Sequence, residues 1–216
     1  RTTRDNPSAR VALSAEEAES LAADLEGLTL FEAERSLARA FADEKLPVSQ
    51  LRALRQKGGE EGYDKAAWKE MVELGFTGVI VPEELGGSGF GYVGLGQVLE
   101  AQGRTIASTP LLSTALTGAS ALLIAGDEKQ KSAYLPKIAS GELLTALAVD
   151  EGPHHDPSHI ALAARKSSGG YTLSGEKRYV VDGAAANLLI VAARTSGQAA
   201  DTSGAPHHAM FRACVI

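Results

Sequence analysis

The sequence predicts an α+β protein whose helices and strands are segregated along the chain. Three observations predict it. Residues 14 to about 142 form a succession of capped segments with apolar residues at helical spacing. Near residue 143 the period changes to short strand-like runs broken by turn clusters. The length of 216 residues, 44% hydrophobic and 22% charged, is enough to bury a real core. A run of helices followed by a run of strands argues against an alternating βαβ fold. No solenoid-type repeat is present.

Ser14-Ala-Glu-Glu17 is a capping box that opens the first helix. Thr29-Leu-Phe-Glu32 repeats the signature and starts a helix with Leu30, Phe31, Leu37, Ala38 and Phe41 on its apolar side. Pro47 suits the first turn of a short helix that stops at Gly58-Gly59. Asp64 caps a helix carrying Ala67, Trp68, Met71, Val72 and Leu74, with Gly75 as its left-handed terminator. Helices over 92–102, 110–125 and 128–140 follow, ending near Gly103, Gly126 and Gly141. The expected strands are Leu143–Asp150, Ile160–Arg165, Tyr171–Ser174, Lys177–Val181 and Leu188–Arg194, with a hairpin turn at Ser167-Ser168-Gly169-Gly170. Residues Thr195–Pro206 read as a flexible connection, and the last ten, HHAMFRACVI, extend no earlier pattern.

Charge and composition exclude several functions. Net charge is −6; residues 1–104 carry 12 basic and 18 acidic side chains, and residues 105–216 carry 9 of each. Neither half has the basic stripe that a nucleic-acid backbone requires. No apolar run is long enough to span a bilayer, and residues 1–10 lack a secretory pattern. The single cysteine, Cys214, can close no intramolecular disulfide, which points to a reducing, cytoplasmic setting. A first residue Arg1 in place of Met reads as processing or a fragment.

Among local motifs, Gly89-Phe-Gly91-Tyr-Val-Gly94 matches the dinucleotide pattern G-x-G-x-x-G. It lacks a strand directly upstream and the acidic residue about 20 positions later, so it reads as a glycine-rich connection and helix start. His155 and His159 have a metal-ligand spacing, but Pro157 between them opposes a helix, leaving a loop with accessible imidazoles. A loop-based metal binder through His154, His155 and His159 is the corresponding alternative. No metal site is assigned. Asp150-Glu151 ends a strand beside a turn and is either a functional carboxylate pair or an ordinary polar loop.

Taken in order, four stretches resemble the acyl-CoA dehydrogenase family. Residues 68–89, WKEMVELGFTGVIVPEELGGSG, are similar to its "W..L.ELG..G...PEE.GG.G" signature, and Val98-Leu-Glu-Ala-Gln-Gly-Arg104 to its "LEELGR" helix end. Residues 126–142, GDEKQKSAYLPKIASGE, resemble "G.EEQK..YLP.LASGE", and residues 173–183, LSGEKRYVVDG, parallel "L.G.K.WITNG". The resemblance implies an N-terminal helical bundle domain over residues 1–142 and the first part of an incomplete antiparallel β-barrel domain over residues 143–216. It further implies FAD, an acyl-CoA substrate oxidised at its Cα–Cβ bond, a role in fatty acid metabolism, and a homo- or hetero-oligomer in the full-length form.

By the same resemblance, Val149, Asp150, Glu151, Asp156, Tyr179 and Val181 are the cofactor-binding residues. Asp150 stands where the family has a threonine, Asp156 near the serine of its pyrophosphate region, and Tyr179 and Val181 where it has Trp and Thr. The Asp150 carboxylate accepts but does not donate unless protonated, and Val181 can offer only its backbone, so two hydroxyl donors are missing. No catalytic residue is assigned, because the family's glutamate base belongs to a C-terminal helical bundle beyond Ile216. The chain then reads as the catalytically incomplete N-terminal part of such an oxidoreductase, or as a non-catalytic subunit or scaffold.

Overall fold

The computed structural model describes residues 30–58, 62–157, 160–195 and 212–215. The Ser14 helix, the Thr29 cap, His159, His207, His208 and residues 196–206 of the expected flexible connection lie outside the described residues.

Helix α1 spans Leu30–Lys45 and buries Ala38, Phe41 and Ala42, with Leu46 sealing its end. Phe41 meets Phe76 edge to face at 5.9 Å. Helix α2, Val48–Lys57, follows Pro47 and buries nothing. Helix α3, Lys65–Glu73, starts as expected: the Asp64 carboxylate accepts from the amides of Ala66 at 2.8 Å and Ala67 at 3.1 Å. It inserts Trp68 and Met71 into the core and ends before Gly75, whose φ of 80° is the left-handed turn that glycine supplies. Two 3₁₀ turns, Phe76–Gly78 and Glu83–Leu85, lead into helix α4, Gly91–Thr105, which lies along α1. Residues 79–81 are turn and bend, so no strand leads directly into the glycine-rich segment.

The expected α-helix over 110–125 divides in two. Leu112–Gly118 is a π-helix and Ala119–Ala125 is helix α5. The cause is a seam to the first strand. Thr114 Oγ1 accepts from the Thr145 amide at 3.1 Å, while the Ser113 carbonyl accepts from Thr117 Oγ1 at 2.8 Å and Thr145 Oγ1 at 3.4 Å. A Cβ on Gly118 would sit 1.8 Å from Thr145 Oγ1, so only glycine permits this approach. Helix α6, Glu128–Ala139, closes the bundle.

Strand β1 is Thr145–Ala148, β2 Ala163–Ser167, β3 Gly170–Ser174, β4 Leu188–Ala193 and β5 Arg212–Val215. The β2–β3 hairpin is antiparallel, with Ser167 opposite Gly170 as the turn predicted. Three expectations are corrected. First, β1 and β4 pair in parallel, so the strands are not an all-antiparallel set, and the two sheets, of three and two strands, are not closed. The pairing is held by Asn187, whose side-chain oxygen accepts from the Leu144 amide at 3.1 Å while its own amide donates to the Leu144 carbonyl at 2.8 Å. Second, Lys177–Val181 is not a strand: Tyr179 and Asp182 have φ of 53° and 55°, which end extended pairing. Third, the backbone of Arg212–Val215 does continue the sheet, as an antiparallel neighbour of β4.

Candidate functional site

Two stretches nearly thirty residues apart in sequence meet beyond the end of β1. The Arg178 amide donates to the Asp150 carbonyl at 2.8 Å. Lys177 reinforces the junction: its ammonium, on a side chain 7% exposed, donates to the Val149 carbonyl at 2.8 Å and to Glu151 Oε1 at 2.7 Å. Glu151 also accepts from the amides of Ala161 and Leu162, both at 2.9 Å. Burial pushes the Glu151 carboxyl up, but the Lys177 and amide hydrogen bonds outweigh it and hold the group below the usual carboxylate range.

Beside this junction is a cleft of about 160 Å³ lined by Thr117, Leu147, Val149, Asp150, His155, Arg178, Tyr179 and Val181. Four of the six expected site residues, Val149, Asp150, Tyr179 and Val181, therefore come together. Glu151 does not line the cleft; its side chain turns inward to Lys177. Asp156 lies on the exposed loop beyond it, outside the lining. Tyr179 is 72% exposed, so its ring is an open aromatic surface at the cleft. Asp150 is engaged by His155, whose Nδ1–H donates to Oδ1 at 2.9 Å and Oδ2 at 3.1 Å. The Arg178 guanidinium is instead occupied by Glu176, at 3.1 and 3.3 Å.

Val181 also borders a second, larger groove of about 440 Å³. Its walls are Leu99, Gln102, Gly103, Ile106, Ala107 and Leu112, with Ser108, Thr109 and Asp182 at polar positions. Sequence reasoning assigned no role at the cleft to Lys177, Arg178 or Thr117. Lys177 could have been found from the acid–base pair it makes with Glu151, but strand alternation does not disclose a contact across 26 positions.

The family model described as acyl-CoA dehydrogenase, N-terminal domain, matches residues 31–142, just over half of the chain. The chain belongs to the acyl-CoA dehydrogenase family. It is 37% identical over 131 residues to mitochondrial isovaleryl-CoA dehydrogenase of Pongo abelii, covering 59% of this chain and 31% of that protein. The solved butyryl-CoA dehydrogenase of Megasphaera elsdenii matches with a TM-score of 0.66 at 28% identity, over 79% of this chain and 46% of that one. An acyl-CoA dehydrogenase complexed with FAD from Bacillus anthracis matches with a TM-score of 0.67 at 29% identity, over 78% of this chain and 29% of that one. The chain thus spans about a third of the curated relative and less than half of these solved family members.

Proposed function

We propose that the chain supplies a helical unit, residues 1–142, and the first part of a β unit, residues 143–216, of a flavin-dependent acyl-CoA dehydrogenase. The observation that carries this reading is the meeting of Val149, Asp150, Tyr179 and Val181 at one cleft. Its chemistry suits one face of an isoalloxazine ring: an open aromatic side chain, apolar Leu147 and Val181, and polar groups at one edge. At about 160 Å³ it is smaller than the roughly 300–1,000 Å³ of a complete small-molecule site, so it forms a wall and not an enclosure. In this reading Val149, Asp150, Tyr179 and Val181 contact FAD, Glu151 holds the wall in place through Lys177, and Asp156 faces the pyrophosphate side. When bound, the flavin supplies the hydride acceptor for Cα–Cβ oxidation.

The adjoining groove, apolar along Leu99, Ile106, Ala107 and Leu112, takes the acyl group and keeps water from it. The family's chemistry also needs a base for the α-proton. Asp150 is committed to His155, and Glu151 to Lys177 and two amides. Neither is available as that base, which the reading places on a part of the enzyme outside these residues. The 216-residue chain alone is therefore expected to be inactive and to hold FAD weakly, and the complete protein to act as a homo- or hetero-oligomer.

The test is to titrate the full-length protein with FAD, then assay acyl-CoA oxidation with an artificial electron acceptor. Bound flavin with acyl-CoA turnover is the expected result; folded protein that takes up no flavin refutes the reading. A second reading, a non-catalytic family subunit, draws on Asp150 and Val181 at positions that lack hydroxyl donors. It requires the opposite outcome: assembly with a partner and no flavin of its own.

A further inference from the structure

The cleft contains a polar group that the sequence motif does not supply. Asp150, taken alone, presents an acceptor-only carboxylate to any ligand, which would repel the electron-rich carbonyl edge of a flavin. In the structure that carboxylate is turned onto the His155 ring, and both of its oxygens lie within 3.1 Å of Nδ1. The Arg178 guanidinium, also in the lining, is drawn away by Glu176. His155 is thus the side chain that answers Asp150. With Nδ1–H given to the carboxylate, Nε2 is the ring's remaining polar atom, a neutral acceptor, and His155 lines the same cleft as Tyr179.

We propose that His155, oriented by Asp150, is the hydrogen-bonding contact of this cleft to the polar pyrimidine edge of the flavin, its Nε2 accepting from the N–H of that edge. A ring of fixed tautomer is suited to this task because its free nitrogen is aimed by the bond at the other nitrogen. Asp150 is here a positioning residue, and His155 the residue that touches the ligand. The inference rests on the flavin reading of the cleft given above.

The experiment titrates the full-length protein with FAD and compares wild type with His155→Ala, His155→Gln and Asp150→Asn. Dissociation constants, the visible absorption bands of the bound flavin, and thermal melts without FAD are recorded. His155→Ala is expected to weaken FAD binding by about tenfold, the effect of one hydrogen bond, and to move the visible bands. His155→Gln, which retains a polar side chain, should recover part of both effects. Asp150→Asn should lie between wild type and His155→Ala. The FAD-free melts should not change for the exposed His155. Wild-type protein that binds no FAD overturns the flavin reading, and this inference with it. Wild-type binding with unchanged affinity and bands in His155→Ala overturns the inference alone. Weakened affinity with unmoved bands also overturns it, because it assigns His155 to the pyrophosphate and not to the ring.

Discussion

Replacing Lys177 by Met removes a charged group that ties the two halves of the cleft wall together. The side chain is 7% exposed, and its ammonium serves both the Val149 carbonyl and Glu151. Breaking one partner out of a buried ion pair typically costs about 3–5 kcal/mol, because the other charge stays behind. Glu151 keeps its two amide donors and is 19% exposed, so the cost falls just below that range, about 2–3 kcal/mol. For a chain of this size that is a fall in melting temperature of roughly 5–10 °C. The effect also depends on pH. The Glu151 carboxyl is held below its ordinary value in the fold, so its stabilisation is present above about 4.5 and is lost as pH falls through the lower folded value. Urea melts of wild type and Lys177→Met should therefore differ most near pH 7 and converge as Glu151 protonates. Equal midpoints at pH 7, or a gap that persists unchanged into strong acid, would show that the pair does not hold the wall.

Three other perturbations test separate parts of the structure. Gly118→Ala drives a methyl group to 1.8 Å from Thr145 Oγ1 and should destabilise the protein by about 1–3 kcal/mol in denaturant melts, with partial recovery in the Gly118→Ala, Thr145→Ala double variant. Burial pushes the Glu34 carboxyl above its ordinary value, and Oε2 has no hydrogen-bond partner, so ionising it works against the fold as pH rises past about 4.5. Glu34→Gln should then raise the melting temperature at pH 7 and lose that advantage near pH 4; a variant less stable at pH 7 would refute the assignment. Gly103 lines the larger groove with nothing within 4 Å of where its Cβ would stand. In the complete enzyme Gly103→Leu should raise KM more for large than for small acyl-CoA substrates, and an equal change for both would remove the groove from substrate binding.

The helices were legible because their signals are local. Asp64 caps the two amides that follow it closely, and Gly75 takes the left-handed turn directly after the helix it stops. The π-helix was hidden because its cause, Thr145, lies some thirty residues further on. The same limit explains the strands. Ser167 and Gly170 announce a hairpin by themselves, whereas the parallel β1–β4 pairing depends on Asn187 reaching Leu144 across 43 positions. Residues 177–181 have strand-like alternation, but Lys177 is drawn to Glu151 and Tyr179 adopts a left-handed conformation, and neither is written in the period. At the site, family-like motifs pointed to Asp150, Glu151, Tyr179 and Val181. His155 was visible only as a loop imidazole, because its partnership with Asp150 is a matter of how the loop folds back.

The two neighbouring carboxylates at the end of β1 divide their work by direction. Successive side chains along extended backbone point to opposite sides. Here Glu151 is taken inward by Lys177 and two amides, while Asp150 faces the cleft beside His155. Position 151 is therefore bound to the stability of the wall: a change there strands a buried ammonium. Position 150 is bound to what the wall presents, since its chemistry can change while Lys177 still holds Val149 and Glu151. This separation explains how a carboxylate can occupy a cleft-facing position without disturbing the fold around it. His155 then takes up the outward carboxylate, so the cleft presents the pair and not a bare charge. The scaffold is set by the inward side chain, and the face of the cleft by the outward one and its partner.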